Sequence, residues 1–307
     1  MKVAFLFPGQ GMEEPRMGIA ATASGIGKQL IERAEAAVGT PLRRLLTEGG
    51  KAFTQTETLQ PLLTAVSLAV AAHLEAAGLR PAFCVGHSLG ELAAWSCAGG
   101  VPPLSAVELA ALRGRLMARE AARRPGGMVA LVDADEDQIA EALCIGRQHG
   151  DLVLAARNAP RQAVLSGDEA AIVAVLRQVS ARRLAVSGAW HGAAMAGAQA
   201  ELLAALRTAS QGSLHCQLIS GVSAEVIDSP SVMPEILSQQ LVRPVRFTEV
   251  LAELCRHGVT DYVTVGPGRV LRSLVRQTLG PSARLHAAFD CEEAAHTAQA
   301  LSVGAAA

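Results

Sequence analysis

The chain has 307 residues, of which 50% are hydrophobic, and a formal net charge of −1. This length allows one large domain, or a large and a small one, with enough apolar surface for a core. The near-neutral charge gives no support to nucleic-acid binding, which usually needs a clustered basic surface, so we expect no nucleic-acid partner.

The first segment, Val3–Phe7, is a short apolar run that predicts a core strand. It is too short for a signal peptide, and no cleavage-site pattern follows it. The apolar stretch Leu62–Ala72 is shorter than the ~18 residues that a membrane helix needs, so it indicates a buried helix. The six cysteines are scattered without a Cys-x-x-Cys, which favours buried, reduced thiols. We therefore expect a cytoplasmic protein without a membrane partner.

Short apolar runs alternate with longer helical patterns over most of the chain. In chain order, the patterns predict a helix over Gln60–Glu75, a strand over Phe83–Val85, helices over Glu91–Cys97 and Ser105–Ala122, and, late in the chain, strands over Gln217–Ser220 and Tyr262–Val265. This alternation is typical of a mostly parallel sheet flanked by helices. It predicts a large α/β domain formed by residues 1–125 and 189–307.

Residues 126–188 show a different order, with short and closely spaced elements. The patterns predict strands over Gly127–Val132, Leu152–Arg157, Ala163–Ser166 and Arg183–Val186, and helices over Asp135–Arg147 and Ala170–Ser180. The order β-α-β-β-α-β is that of the ferredoxin-like split motif, so we predict a small ferredoxin-like domain inserted in the large one. The tail, residues 304–307, is expected to fray.

Residues 86–90 read Gly-His-Ser-Leu-Gly, which fits the G-x-S-x-G motif between a predicted strand and a predicted helix. A sharp turn there exposes the Ser88 hydroxyl, and glycine two residues away on either side avoids a collision. The Leu89 N–H lies at a helix N-terminus, where it can donate to an oxyanion. By itself the motif fits a glycine-rich turn equally well, but its context favours a nucleophile in an α/β-hydrolase-like domain.

A serine hydroxyl is a weak nucleophile and needs a base, for which the chain offers eight histidines. His87 is next to Ser88, but neighbouring side chains on such a turn point apart, so we interpret it as a supporting residue. Five others are expected at the surface: His73, His149, His257, His286 and His296. His191 and His215 remain as candidates, because the pattern excludes neither.

Further motifs follow in a fixed order. They are Phe7-Pro8-Gly9-Gln10-Gly11, Thr58-Leu59-Gln60-Pro61, Arg113-Gly114-Arg115-Leu116-Met117, Asn158-Ala159-Pro160, Val164-Leu165-Ser166-Gly167, Gln240-Leu241, Pro244-Val245 and Gly266-Pro267-Gly268. With these motifs the chain resembles the malonyl-CoA:acyl carrier protein transacylases, and the related acyltransferase domains of polyketide synthases, over nearly its whole length.

The resemblance implies a ping-pong, acyl-serine mechanism in fatty-acid or polyketide synthesis. Ser88 attacks the thioester, and His191 acts as its general base. Gln10 and the Leu89 backbone N–H form the oxyanion hole, and Arg113 holds the free carboxylate of the malonyl group. Gln60 and Gln240 line the same pocket, and the segment of Gln240 helps to orient His191. The remaining pocket residues are Trp190 and His87. The implied partners are malonyl-CoA, which is a substrate, and an acyl carrier protein; we expect a monomer without metal or bound cofactor.

Arg113 lies in an otherwise apolar helical stretch, where an arginine either extends to the surface or pairs with an anion. The pattern alone favours the surface, whereas the resemblance favours a substrate carboxylate. The pair Glu13-Glu14 departs from the family pattern and places two acids near the entrance for an anionic substrate. Trp190, directly before His191, departs too, and its ring is expected to fill the space that an α-methyl branch needs. Leu89 also favours malonyl.

Three alternatives stay open. The first is an acyl hydrolase (thioesterase) on the same fold, which Arg113 disfavours because editing relatives often lack that arginine. The second is a carrier-binding module without activity, which Ser88, His191 and Gln10 disfavour. The third is the malonyl transacylase subunit of malonate decarboxylase. Carrier proteins are acidic, so four arginines are candidates for docking: Arg123, Arg124, Arg182 and Arg183.

Overall fold

The computed structural model describes residues 2–48, 53, 55–209 and 211–303. The tail over residues 304–307, which was expected to fray, lies outside these ranges. The strands are β1 Val3–Phe7, β2 Phe83–Gly86, β3 Gly126–Val132, β4 Leu152–Ala159, β5 Gln162–Asp168, β6 Arg182–Arg183, β7 Gln217–Leu218, β8 Asp261–Val265 and β9 Arg284–Ala288. The helices are α1 Gly25–Val38, α2 Leu42–Glu48, α3 Thr56–Ala76, α4 Gly90–Cys97, α5 Pro103–Arg123, α6 Glu136–Arg147, α7 Glu169–Gln178, α8 Gln199–Thr208, α9 Met233–Gln239, α10 Phe247–Arg256, α11 Arg269–Leu279 and α12 Cys291–Val303.

The larger sheet is parallel and has the order β7-β2-β1-β8-β9. Every residue of β1 is buried, as expected for a strand covered on both faces. The pairing of β1 with β2 places Phe7 opposite Gly86. The loop that follows β1 therefore leaves the sheet beside the turn that carries Ser88.

Helix α3 is long and apolar enough to cross a membrane by length and composition, but 78% of its apolar window is buried within the protein. It packs against α1 and α5. This confirms the prediction of a buried helix over Leu62–Ala72. The packing of α3 on α5 also brings Gln60 next to Arg113, which are 53 residues apart in sequence.

The smaller sheet is antiparallel and has the order β4-β5-β3-β6. Helices α6 and α7 pack together on it and close a second core, formed around Leu131, Ile139, Leu152, Leu165 and Ile172. Element order and strand order are those of the ferredoxin-like motif, which confirms the predicted fold class. All of these elements lie within residues 126–188, and we propose that range as the small domain.

Two strands are shorter than predicted. β6 was expected to reach Val186, but beyond Arg183 only Leu184 still donates to β3, at the Met128 carbonyl, 3.0 Å away. The residues after it leave the sheet edge and line a cavity. β7 ends at Leu218, because Ile219 pairs instead with Val226 in an antiparallel bridge. An apolar pattern marks such segments as buried, but it does not say which neighbour a backbone will pair with.

Two backbone hydrogen bonds join the small sheet to the large domain. Arg157 donates to the carbonyl of Val245 at 2.8 Å, and Val245 donates to the carbonyl of Ala155 at 2.9 Å. Val245 thereby extends the β4 edge by one parallel bridge. The face of the small sheet opposite α6 and α7 is held towards the carboxyl ends of β1 and β2.

Candidate active site

Ser88 sits on a strained turn between β2 and α4, with a φ of 51° in the left-handed region. A Cβ on Gly86 would lie 2.0 Å from the carbonyl carbon of Gly90, and a Cβ on Gly90 would lie 2.2 Å from the carbonyl oxygen of Phe7. Both positions therefore exclude side chains. The strand, turn and helix predicted around the G-x-S-x-G motif are all present.

The Ser88 Oγ lies 2.8 Å from the Nε2 of His191, which is 103 residues further along the chain. The Nδ1 of His191 lies 2.8 Å from the backbone oxygen of Gln240. A carbonyl oxygen only accepts, so Nδ1 carries the proton and Nε2 is free to accept from the serine. Burial, and then the nearby Arg113, lower the pKa of His191 to about 3, which keeps the imidazole neutral.

Arg113 is buried, with 3% of its surface exposed, so extension to the surface is the wrong alternative. Its Nη1 donates to Gln60 Oε1 at 2.8 Å, and its Nη2 donates to Gln240 Oε1 at 3.0 Å and to Ser88 Oγ at 3.3 Å. Within the described ranges no carboxylate lies within ion-pair distance, and two of its five N–H groups have no acceptor. Burial lowers its pKa to about 10, so it remains a cation. A buried cation among neutral oxygens is a site for an anion.

A chain of hydrogen bonds from Arg113 sets the direction of the Gln10 amide. Because an arginine only donates, the Gln60 oxygen faces it, and Gln60 Nε2 donates to Thr56 Oγ1 at 2.7 Å. Thr56 Oγ1 then donates to Gln10 Oε1, also at 2.7 Å, and this fixes the side chain of Gln10.

Two backbone N–H groups lie beside the nucleophile. In the described part of the chain, the backbone N–H groups of Gln10 and Leu89 have no acceptor. These N–H groups are available to an oxyanion beside Ser88.

A cavity of about 400 Å³ opens over this cluster between the two sheets. Its lining includes Gln10, His87, Ser88, Arg113, Met117, Trp190 and His191. Gln60 and Gln240 were predicted to line the pocket, but both are buried beside Arg113 and contact the guanidinium from the protein side. His87 Nε2 lies 2.8 Å from Asn158 Oδ1 on β4, so it links the turn that carries Ser88 to the small sheet.

The two acids near the entrance point in different directions. Glu14 accepts from the Arg269 N–H at 3.1 Å, at the start of α11, and so turns away from the cavity. Glu13 lines the cavity, but it accepts from the Gly11 N–H at 2.7 Å, and burial raises its pKa. The expected conflict with an anionic substrate is therefore confined to one carboxylate.

The other histidines lie elsewhere. His215 is exposed and its Nε2 is 3.9 Å from Glu75, which removes it as a candidate base. His149 and His296 are exposed as expected, whereas His73, His257 and His286 are half-buried, and His286 lies 3.0 Å from the buried Asp261. The polar sequence around these histidines predicted that they would be exposed. Such a pattern cannot show that a buried carboxylate on a neighbouring strand contacts one of them, as Asp261 contacts His286.

Sequence reasoning gave no role to Thr56, Glu91 or Asn158. Each contacts a predicted site residue: Thr56 contacts Gln10, Asn158 contacts His87, and Glu91 contacts Gln240. Asn158 stands inside the Asn158-Ala159-Pro160 motif, and Glu91 directly follows the motif at residues 86–90, which was the available signal. Their partners come from distant parts of the chain, so spacing alone could not assign them.

Fold and site together define an α/β enzyme that transfers acyl groups. Residues 4–302 match the family described as "Acyl transferase domain", and the chain belongs to that family. It is 32% identical over 281 residues to the malonyl CoA-acyl carrier protein transacylase of Synechocystis sp., covering 91% of this chain and 94% of that protein. It is 34% identical over 285 residues to the Bacillus subtilis protein of the same name, covering 90% of each.

Solved structures show the same likeness. The crystal structure of the Synechocystis malonyl-CoA:ACP transacylase has a TM-score of 0.87 at 31% identity and covers 96% of this chain and 99% of that one. A malonyl-transacylase in complex with its type II polyketide synthase acyl-carrier protein has a TM-score of 0.89 at 28% identity and covers 98% of this chain and 100% of that one.

Proposed function

We propose that the chain moves a malonyl group from malonyl-CoA to the phosphopantetheine thiol of an acyl carrier protein, through an ester on Ser88. The observation that carries this proposal is the buried Arg113, whose Nη2 lies 3.3 Å from the Ser88 Oγ and which has no carboxylate partner within the described ranges. A guanidinium so close to the nucleophile selects an acyl group with a second, ionised carboxyl. The names of the relatives support the same substrate and acceptor.

In the first half-reaction, His191 Nε2 takes the Ser88 proton as Oγ bonds to the thioester carbon. The carbonyl oxygen becomes an oxyanion and accepts from the N–H groups of Gln10 and Leu89. When the C–S bond breaks, the CoA sulfur leaves with the proton from His191. In the second half, His191 takes the proton of the carrier thiol as its sulfur attacks the ester carbon. When the C–O bond to Ser88 breaks, His191 returns that proton to Oγ. No step needs a metal or a bound cofactor.

The substrate also adjusts the base. Arg113 is the main charge that lowers the His191 pKa, after burial. A malonyl carboxylate on Arg113 offsets that charge, so the pKa of His191 rises when the correct substrate is bound. The base then accepts a proton more readily in the complex than in the empty enzyme.

The first test measures loading of Ser88. The protein incubated with malonyl-CoA gains the mass of one malonyl group on the peptide that contains Ser88, and the Ser88→Ala variant gains none. A non-catalytic binding module gains no covalent mass. A hydrolase releases free malonate instead of passing the group to a carrier. When a panel of carriers is added, the carrier that gains the malonyl mass identifies the pathway, including the malonate decarboxylase alternative.

The Arg113→Ala variant tests the assignment of the carboxylate. Its kcat/KM for malonyl-CoA falls by the equivalent of about 2–5 kcal/mol, because the malonyl carboxylate loses its buried partner, whereas acetyl-CoA loading is spared. Arg115→Ala, two residues away on the same helix and exposed, is the matched control. Intact malonyl loading in Arg113→Ala would show that this arginine is wrongly assigned.

We further propose that the enzyme acts as a monomer, since one chain supplies the nucleophile, the base and the guanidinium that binds the carboxylate. We propose a cytoplasmic location as well, since all six cysteines are free thiols. Light scattering at the concentration used for kinetics tests this: a dimer that dissociates with loss of activity contradicts it.

A further inference from the structure

We propose that Glu91 is a positioning residue, whose carboxylate fixes Gln240 so that Gln240 presents its side-chain oxygen to Arg113 and its backbone oxygen to His191. The inference rests on the proposed function and deepens it. It gives a role to a buried acid that the transfer steps themselves do not use.

Glu91 lies in the first turn of α4, three residues after Ser88, and only 1% of its surface is exposed. Its Oε1 accepts from the Gly221 N–H at 3.0 Å, and its Oε2 accepts from Gln240 Nε2. Each oxygen therefore meets a donor from a different segment. The carboxylate is held between a backbone and a side chain, and it cannot turn without losing one of the two.

The Gln240 amide has an oxygen end and a nitrogen end, and its surroundings decide which end points where. Its nitrogen meets two acceptors, the Glu91 carboxylate and the Ser88 carbonyl at 3.1 Å. Its oxygen is thereby directed to Arg113 Nη2, 3.0 Å away. The backbone oxygen of the same residue lies 2.8 Å from His191 Nδ1. One residue thus supports both the guanidinium that is proposed to bind the substrate and the proposed base.

Glu91 also offsets part of the charge of Arg113 without contacting the guanidinium. Gln240 stands between them, so the two open N–H groups of the guanidinium stay available to substrate. Burial raises the Glu91 pKa to about 7, against the Gly221 N–H, the Gln240 amide and the charge of Arg113, which lower it. Arg113 on α5 is the charged group that acts on Glu91, and the contacts from residues 221 and 240 do not titrate.

A merely structural role is the competing explanation, since a carboxylate in the first turn of a helix stabilises that helix through its dipole. That role does not involve Gln240, and it predicts a loss of stability without a change in the reactivity of the folded enzyme. The two explanations separate when reactivity and thermal unfolding are measured on the same variants.

The test is a cycle of variants read by the rate at which phenylmethanesulfonyl fluoride modifies Ser88, together with malonyl-CoA loading. Glu91→Gln keeps the size but sets an N–H against an N–H of Gly221 or Gln240, so both rates fall about 10- to 100-fold through misplacement of His191 and Arg113. Gln240→Ala gives a similar loss, and adding Glu91→Gln to it causes little further change. Glu91→Gln with Gln240→Glu restores an oxygen opposite a nitrogen and recovers part of the sulfonyl fluoride rate. Malonyl loading stays low in this double variant, because a carboxylate at position 240 pairs with Arg113.

Glu253→Gln is the matched control, because Glu253 is also a buried acid but lies on α10 beside Arg256 and His257. Its rates stay at the wild-type value. Wild-type reactivity in Glu91→Gln or in Gln240→Ala, or full additivity of the two, would overturn the proposal. If Glu91→Gln does not fold, Gln240→Ala still tests the proposal, because wild-type reactivity in that variant would overturn it. Absence of malonyl loading in the wild type would remove the proposed function, while the sulfonyl fluoride rates still judge Glu91.

Discussion

The proposed chemistry depends on single residues that are held in energetically unfavourable states. Ser88 and His191 both have a positive φ, of 51° and 60°, and Arg113 is a cation among neutral oxygens. Strain and unpaired charge of this kind persist only where the surrounding packing fixes them. The empty site is therefore less stable than the occupied one, and an anion of the correct shape should stabilise the whole protein.

Ser88→Ala, which cannot be acylated, allows this stabilisation to be measured by thermal unfolding. Malonyl-CoA should raise its Tm more than acetyl-CoA at the same concentration, because only the malonyl carboxylate reaches Arg113. Binding at 100 times Kd contributes about 2.7 kcal/mol to the free energy of unfolding. In Ser88→Ala carrying Arg113→Ala as well, the two ligands should act alike. Equal shifts with Arg113 intact would contradict the account.

We propose Trp190 as the second residue that determines which acyl group is accepted. It lines the cavity, is 4% exposed, and packs so closely on Gly188 that a Cβ there would lie 2.4 Å from its ring. Leu89, expected to favour malonyl as well, has a buried side chain that is not part of the cavity lining, so only its N–H bears on the substrate.

We expect malonyl-CoA to load faster than methylmalonyl-CoA, by the equivalent of about 1–3 kcal/mol for one methyl group. The Trp190→Ala variant removes the ring and should narrow that ratio. Loading rates for the two thioesters provide the measurement. Equal rates in the wild type would refute the role of Trp190.

At the scale of elements, local patterns predicted most of what positions the site. The sequence alone places β1, β2, α4, α5 and the two glycines that flank Ser88, since each of them depends on residues close together in the chain. The burial of Arg113 and the contacts of Glu91 could not, because they depend on how α3, α4 and residue 240 pack. The edge strand β9 was missed, since its residues are half-buried and show no clear alternation.

The four arginines proposed for carrier docking differ in whether a neighbouring element supplies an ion-pair partner. Arg124 contacts Asp151 and Asp168, Arg123 contacts Glu120, and Arg183 contacts Glu169. Arg182, on the exposed edge strand β6, lines the cavity mouth and has no ion pair within the described ranges.

We therefore expect Arg182→Glu to raise the carrier KM several-fold through repulsion of an acidic partner, and to raise it by more than the KM for malonyl-CoA. Arg123→Glu, which breaks a pair remote from the cavity, is the control and should leave the carrier KM near wild type. An unchanged carrier KM in Arg182→Glu would remove β6 from the docking surface.

At the scale of the whole molecule, the contact between Ser88 and His191 requires both sheets. Ser88 follows β2 of the large sheet, and His191 follows β6, the last strand of the small sheet along the chain. Asp261, which is 1% exposed, is a buried polar residue that stabilises the large sheet. It accepts from Arg284 Nε at 2.9 Å and lies 3.0 Å from His286, so it ties β8 to β9. Arg284 holds the pKa of Asp261 well below its usual range.

A carboxyl whose pKa is lower in the folded state stabilises the fold above its unfolded pKa, and this stabilisation is lost as the pH falls. Asp261→Asn should therefore lower the free energy of unfolding at pH 7 by roughly 1–3 kcal/mol. The difference from wild type should shrink as the pH falls below about 4. Urea unfolding at several pH values measures it, and a difference independent of pH would contradict this origin.

The most direct test of the central claim is a single turnover. Protein acylated by malonyl-CoA is freed of CoA, mixed with a carrier that bears phosphopantetheine, and followed by intact mass. We predict that the malonyl mass leaves Ser88 and appears on the carrier thiol. Release of free malonate, or a protein that never gains the malonyl mass, would contradict the account.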